Sequence, residues 1–461
     1  MRARTRACAV VALLASVSAA SVQAADIDWQ KVEKEAADML ASYIRIDTSN
    51  PPGNETLAAA FLAAAFEREG YQPQRFESKP GRGSVVARLK GTGDKRPIVL
   101  LNHIDVVPAV ADEWSVSPFA GEIRDGHVHG RGAIDCKGVG IVDSMAMFLL
   151  KRNGIALKRD VVFVGTADEE AGGNLGAGWM TKEHFEEIGD VEFVLNEGGH
   201  IRLEDGERLY EVSVAEKTPC WLRLTAHGKS GHGSTPPHHT AITRLLRALD
   251  RVTGEEAEVT VVPEVQTYYA ALAPIEQEPR RSRFNDLRTS LKDQAFRAQF
   301  LDDPRDAALV RNTIAPTVLT AGQKTNVIPA TATAELDCRL LPGQSADAFV
   351  RSIVDTIADR EVDVDILLNF PPSSSPTDTA LFDAIRTMAR RENAPVVPAV
   401  LRGFTDSHFF REKGVVSYGF TPFELSPDDL GRMHGIDERI STANLREATR
   451  RLLEILELVG R

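Results

Sequence analysis

Five points along this 461-residue chain end an apolar run, or the loop after one, in a carboxylate or an imidazole. They are His103-Ile104-Asp105, Asp135, Asp168-Glu169-Glu170, Glu197 and His434. Imidazoles mixed with carboxylates form a ligand set for divalent metals. The stretch from Gly130 to Asp135 is punctuated by glycine, which lets the backbone turn tightly and present Asp135 inward. A carboxylate has two oxygens, so one aspartate can bridge two cations about 3.5–4 Å apart. Glu169 and Glu170 are neighbours whose side chains diverge, so one can ligate while the other stays free to accept a proton. His103 and Asp105 share a strand face at spacing i, i+2. Asp105 can therefore supply a supporting carboxylate, although spacing alone does not bring it onto the same ring. Taken singly, each has a bland reading: a strand-end acid caps a helix or sits solvated in a loop. Their joint placement is what argues for a shared site. His127 and His129 read differently, as part of a hairpin after Asp125-Gly126. His238 and His239 read as surface residues, and Cys136 has no second residue to make it a nucleophile.

The elements that must position these residues are legible as apolar runs. Ser84 to Lys90 and Pro97 to Val107 read as buried strands, as do Asp160 to Thr166 and Glu192 to Asn196. Helices are expected at Asp28 to Ser42, Thr56 to Glu69 and Asp143 to Arg152. Strands alternating with helices predict an α/β layer with a mostly parallel sheet. In open α/β sheets sites form at the carboxyl ends of strands, so the scattered ligands gather at one edge. The pattern changes near Val212. Trp221 to His227 alternates as a strand, a glycine-rich turn follows, and a helix runs from about Thr240. Strands near Thr317 to Ala321 and Ala332 to Leu340 and a helix from about Ser345 complete a β-α-β-β-α-like order. The expected organisation is a first α/β part at 25–212, an inserted α+β domain at 213–372 with a helical segment at about 255–311, and an α/β return at 373–461.

Residues 1–24 form their own unit: three arginines, an apolar run from about Cys8 to Val17, then small residues up to Ala24. That is the layout of a cleaved secretory signal, so the chain is expected to be exported, periplasmic or secreted. No later segment is long and apolar enough to span a bilayer, so no membrane association is expected after cleavage. Removal of the leader would take the formal charge from −12 to −15, which argues against nucleic acid as a partner. The three cysteines that remain, Cys136, Cys220 and Cys338, give no disulfide framework.

With these motifs the chain resembles the M20 family of co-catalytic metallopeptidases and amidohydrolases. The resemblance runs over essentially the whole mature chain: NHIDVVP, the W-x-x-x-P-F of Trp114 to Phe119, GRGAIDCKG, TADEEAGG, the Glu197 of NEGG, SGHGS, TNVIP and MHGIDERI. It implies a zinc-exopeptidase-like catalytic domain, with the inserted domain a ferredoxin-like dimerisation domain, or lid. It implies that His103 and Glu197 complete one metal site and Glu170 with His434 the other. Asp135 would bridge them, with a cis peptide to Cys136. Glu169 would be the general base for a metal-bridged hydroxide, and Asp105 the carboxylate behind the ligands. His232 of SGHGS would reach a partner subunit's active site, making a homodimer. Asn326 and Arg339 would contact the substrate's carbonyl or carboxylate. The implied cofactors are two divalent ions, Zn2+ ahead of Co2+ or Mn2+ for this mixed donor set. The implied substrate is a small peptide or an N-acyl amino acid, cleaved as by a carboxypeptidase or aminoacylase. A dipeptidase or aminopeptidase of the same fold is the alternative, and a non-catalytic binding protein the reading from another class. Thr405-Asp406-Ser407 is similar to a T-D-S-R pattern of larger relatives, but His408 stands where they carry arginine.

Overall fold

Runs of valine, isoleucine, leucine and phenylalanine build the centre of a ten-stranded sheet. In the computed structural model, which describes residues 27–461 apart from 205 and 255–256, four central strands lie side by side and parallel. Their order is Val161–Thr166, Ile98–His103, Phe193–Asn196 and Val416–Gly419. The first two are buried along their whole length, as expected for parallel strands covered on both faces. Alternate residues serve opposite layers. Ile98, Leu100, Val161 and Phe163 pack against helices Trp29–Ile44, Glu55–Arg68, Lys137–Arg152 and Thr442–Gly460. Val99, Leu101, Val162 and Val164 pack against Met180, Ile188 and Phe410 on the other face. The register sets His103 opposite Thr166 and Gly419 opposite Asn196, so the strands end level. Antiparallel strands extend the sheet on both sides.

The helix expected from Asp143 begins at Lys137, directly after the Asp135–Cys136 pair. Gly138 lowers the helical propensity there, yet contact requires it: a Cβ at Gly138 would lie 2.1 Å from the Ala133 carbonyl oxygen.

The second body is a four-stranded antiparallel sheet in the order Thr313–Ala321, Thr331–Leu340, Thr218–His227 and Val362–Asn369. Helices Ala241–Gly254 and Ala346–Ile357 cover one face with Leu245, Ala248, Ile353 and Ile357. A two-stranded ribbon, Gly231–His232 with Val327–Ile328, stands apart from it. The helical segment from Pro263 to Leu309 does not join this core. Its Tyr269, Phe284 and Phe300 pack with Leu209, Ala215, Val397 and Val400 of the large sheet. The residues expected to form the leader lie outside the described part. Among the described residues no helix is long and apolar enough to cross a membrane.

Candidate metal centre

The level strand ends bring the sequence-selected ligands together. His103, the last residue of its strand, sets Nε2 2.9 Å from Asp135 Oδ1 and 3.5 Å from Glu197 Oε1. His434, in a left-handed backbone conformation, sets Nε2 3.0 Å from Asp135 Oδ2 and 3.3 Å from Glu170 Oε1. Each oxygen of Asp135 therefore faces a different imidazole. His103 Nδ1 is 2.9 Å from the Asp105 backbone oxygen, so Nδ1–H donates there and Nε2 points into the site. The Asp105 carboxylate is farther from that nitrogen, at 3.5 Å. It instead accepts the backbone N–H groups of Glu169 and Glu170, both at 3.1 Å, and Asn50 Nδ2 at 2.8 Å. Asp105 thus fixes the turn that carries both glutamates, and Asp168 starts that turn with φ +72°. The Asp135–Cys136 peptide is cis.

The electrostatics of the cluster follow from burial and from the crowding of its charges. Burial, then the nearby Glu197 charge, pushes Glu169 well above the usual carboxylate range. Burial pushes Glu197 up to about 7 and raises Glu170. Burial acts on Asp135 in the same sense, but hydrogen bonds from His103 and His434 hold it below its ordinary value. Hydrogen bonding to Asp135 and then Glu170 lifts His434 to about 10. Four crowded carboxylates beside two imidazoles concentrate negative charge that cations would offset. Glu170 Oε1 is buried, with the His434 ring nitrogen 3.3 Å away. The donor atoms of His103, Asp135 and Glu170 lie within 4.8 Å of one another. These residues fit divalent cations. The ligand atoms of His103, Cys136 and Glu197 also lie within 4.8 Å of one another, and burial raises the Cys136 thiol well above its ordinary value.

Two connected networks hold the cluster, and sequence reasoning assigned no role to their key members. Glu438 is fully buried. Its Oε1 accepts the Ile134 and Asp135 N–H groups at 2.8 and 3.1 Å, and its Oε2 accepts Arg131 Nη1 at 2.7 Å and Gly132 N–H at 3.1 Å. Arg131 also donates to the Gly435 carbonyl at 2.8 Å, tying the Asp135 loop to the His434 loop. On the other side Arg82 pairs with buried Glu55 at 2.6 Å and donates to Asn50 Oδ1 at 2.8 Å, behind Asp105. Glu438 stands in the MHGIDERI stretch, where only His434 drew attention.

A cleft of about 520 Å³ opens over the cluster. Asp135, Glu169, Glu170, Glu197 and His434 line its polar part, and Val139, Phe423, Leu425, Leu430 and Met433 its apolar part. Arg339 also lines it, with Trp221 and Phe404. Asp337 takes Arg339 Nε and Nη2 at 2.7 and 3.1 Å, while Nη1 is buried without a partner. His232 and Asn326 are not brought to this cleft. Both are exposed, His232 in the small ribbon and Asn326 next to it, and His232 Nδ1 accepts from Ser234 Oγ at 2.8 Å. His127 and His129 form the expected hairpin strand, paired with Glu122–Arg124. A larger groove of about 710 Å³ between the first two helices gathers Lys31, Glu35, Arg68, Glu69 and Arg152, with no histidine. Glu35 and Glu69 there are already paired with Arg152.

The sequence profile of peptidase family M20/M25/M40 matches residues 99–458. The N-fatty-acyl-amino acid synthase/hydrolase PM20D1 of Xenopus tropicalis is 32% identical over 444 residues, covering 89% of this chain and 83% of the relative. Aminoacylase-1 of Sus scrofa is 28% identical over 422 residues, covering 89% and 92%. The crystal structure of the M20 family metallo-carboxypeptidase Sso-CP2 from Sulfolobus solfataricus superposes with a TM-score of 0.74 at 17% identity, covering 92% of this chain and 99% of that one.

Proposed function

This chain belongs to peptidase family M20/M25/M40, and we propose that within that family of amide-bond metallohydrolases it cleaves N-acyl amino acids, or peptides at their free carboxyl end, at a two-cation centre. The observation that carries the two-cation reading is Asp135, whose two oxygens each face one imidazole. His103 and Glu197 would hold one cation and Glu170 and His434 the other, with an oxygen of Asp135 available to each. Zinc suits these donors best. Two such cations would supply Lewis acidity and lower the pKa of a water bound in the site. Glu169, buried and without a ligand's task, accepts the proton of the attacking water and returns it to the leaving amine. Arg339 binds the substrate carboxylate through its unpartnered Nη1, a charge-assisted bond. The apolar lining from Val139 to Met433 receives the acyl chain, in keeping with relatives whose names specify fatty-acyl amino acids. His232 and Asn326 lie away from the cleft of their own chain, so a homodimer supplies them across its interface, His232 to stabilise the oxyanion. The leader exports the protein to the periplasm or medium.

The test is hydrolysis of N-acyl amino acids and of free dipeptides by the metal-loaded protein. Faster cleavage of the N-acyl substrates is expected; a preference for a free N-terminal amine overturns the acylase and carboxypeptidase reading. Glu169→Gln should lose about 10²–10⁴-fold in kcat with its metal retained. An active Glu169→Gln variant refutes the general-base role.

A further inference from the structure

His408 belongs neither to the metal cluster nor to the cleft lining, yet it is buried and tightly held. Its ring stacks on Phe370 with centroids 3.6 Å apart and planes at 19°, and lies 3.7 Å from the Phe409 ring. Nδ1–H donates to the Thr405 carbonyl at 2.8 Å. Nε2 is buried with no partner, and the residue lines a cavity of about 10 Å³. That cavity is lined by Lys217 and Thr218 and by Phe370 and Pro371, where the chain passes between the two sheets.

From His408 a line of packed groups leads into the cleft. Phe370 meets Phe404 edge-on, with centroids 5.3 Å apart. The Arg339 guanidinium lies over Phe404 at 5.0 Å and over Trp221 at 5.7 Å. Phe404 and Thr405 both line the cleft. His408 therefore grips this wall twice, at the Thr405 carbonyl and through Phe370 at the Phe404 ring. Cation–π contacts with Phe404 and Trp221, together with Asp337, fix the direction of Arg339 and leave Nη1 for a ligand. Burial holds the His408 imidazole down, to about 4, so the stack stays uncharged near neutral pH.

We infer that His408 is a positioning residue for carboxylate recognition: it holds Phe370 and the Phe404–Thr405 wall so that Arg339 presents Nη1 to the substrate's carboxylate. The inference rests on the carboxylate-binding reading of Arg339 given above. A side chain that only supports the fold would change turnover of all substrates alike. A positioning residue for one contact changes the discrimination that contact makes.

The experiment compares an N-acyl amino acid with its carboxamide twin, using the full-length metal-loaded enzyme and its His408→Ala, His408→Phe and Phe370→Leu variants. Wild type should favour the acid. His408→Ala should cut that preference at least fivefold, mainly through KM for the acid, with carboxamide turnover within twofold. His408→Phe keeps a ring against Phe370 and should recover part of the preference. If His408→Ala fails to fold, Phe370→Leu reads the same line of contacts and should also lower the ratio. A wild-type ratio retained by folded His408→Ala, or by Phe370→Leu where that stands in, overturns the inference alone. A wild-type enzyme indifferent to the carboxylate overturns the Arg339 reading, and this inference with it.

Discussion

Replacing Glu438 by glutamine keeps the shape of the side chain and removes half of its accepting capacity. Its two oxygens serve four N–H donors: Ile134 and Asp135 on one, Arg131 and Gly132 on the other. Whichever way the new amide turns, its NH2 faces two buried donors that lose their acceptor. Each such loss costs about 1–3 kcal/mol, and breaking a buried ion pair by changing one partner costs about 3–5 kcal/mol. We expect Glu438→Gln to be destabilised by about 3–5 kcal/mol, within the roughly 5–15 kcal/mol that folded domains have in hand. Since Glu438 holds the backbone N–H of Asp135 itself, the loss should also reach the site. Partners that orient metal ligands typically cost about 10–100-fold in affinity or activity when changed. The assay is urea denaturation together with metal content after dialysis and kcat/KM at saturating metal. A Glu438→Gln protein within about 1 kcal/mol of wild type and with unchanged metal affinity would refute the claim that this carboxylate positions Asp135.

Three further outcomes are expected. Burial raises buried Asp143 well above its ordinary range, with Asn102 Nδ2 at 3.4 Å as a weak donor, so the folded chain holds a proton that the unfolded chain releases above about pH 4. Stability therefore falls by about 1.4 kcal/mol per pH unit above that point until the folded carboxyl ionises, and Asp143→Asn should flatten the profile and be the more stable protein at pH 7.5 in urea. With Glu197 at about 7 and Glu169 and Glu170 also raised, metal binding at pH 6.5 must expel protons. Titration calorimetry in buffers of different ionisation heat should show that release, and affinity weakening as pH is lowered; no buffer dependence contradicts it. Mixing inactive His232→Ala with inactive Glu169→Gln should restore part of the activity, because one mixed active site then carries both native residues. No recovery, with mixed dimers demonstrated, argues against a shared site.

The convergence of these carboxylates and imidazoles was legible because parallel strands end level. Once Ile98–His103 and Val161–Thr166 are read as buried strands, His103 and Glu169 must be neighbours. The supports were not legible. Glu438 is one acid among many until its four donors are seen, and Arg82 meets Asn50 and Glu55 only through the packed turn at Gly53. Strand Val396–Leu401 carries Pro398, which speaks against a central strand; it pairs only with Glu207–Glu216, as a proline-bearing edge strand can. The helix at Lys137 was read late because Gly138 and Gly140 weaken the local signal, while their reason lies in Ala133 and Asn102. His408 departs from an arginine pattern, and its place is seen only in the fold, stacked on Phe370 and bonded to the Thr405 carbonyl.

The packing of the helical segment 263–309 on the large sheet has a mechanical consequence. An insertion joined only at its two ends would hang from one pair of strands, like a door on a single pin. Here the chain leaves the large sheet before Thr218, comes back to it for Pro263–Leu309, departs again at Thr313 and returns after Asn369. Four crossings replace two. The small sheet is moored like a span resting on two piers, with any swing about one pair of strands resisted by the other.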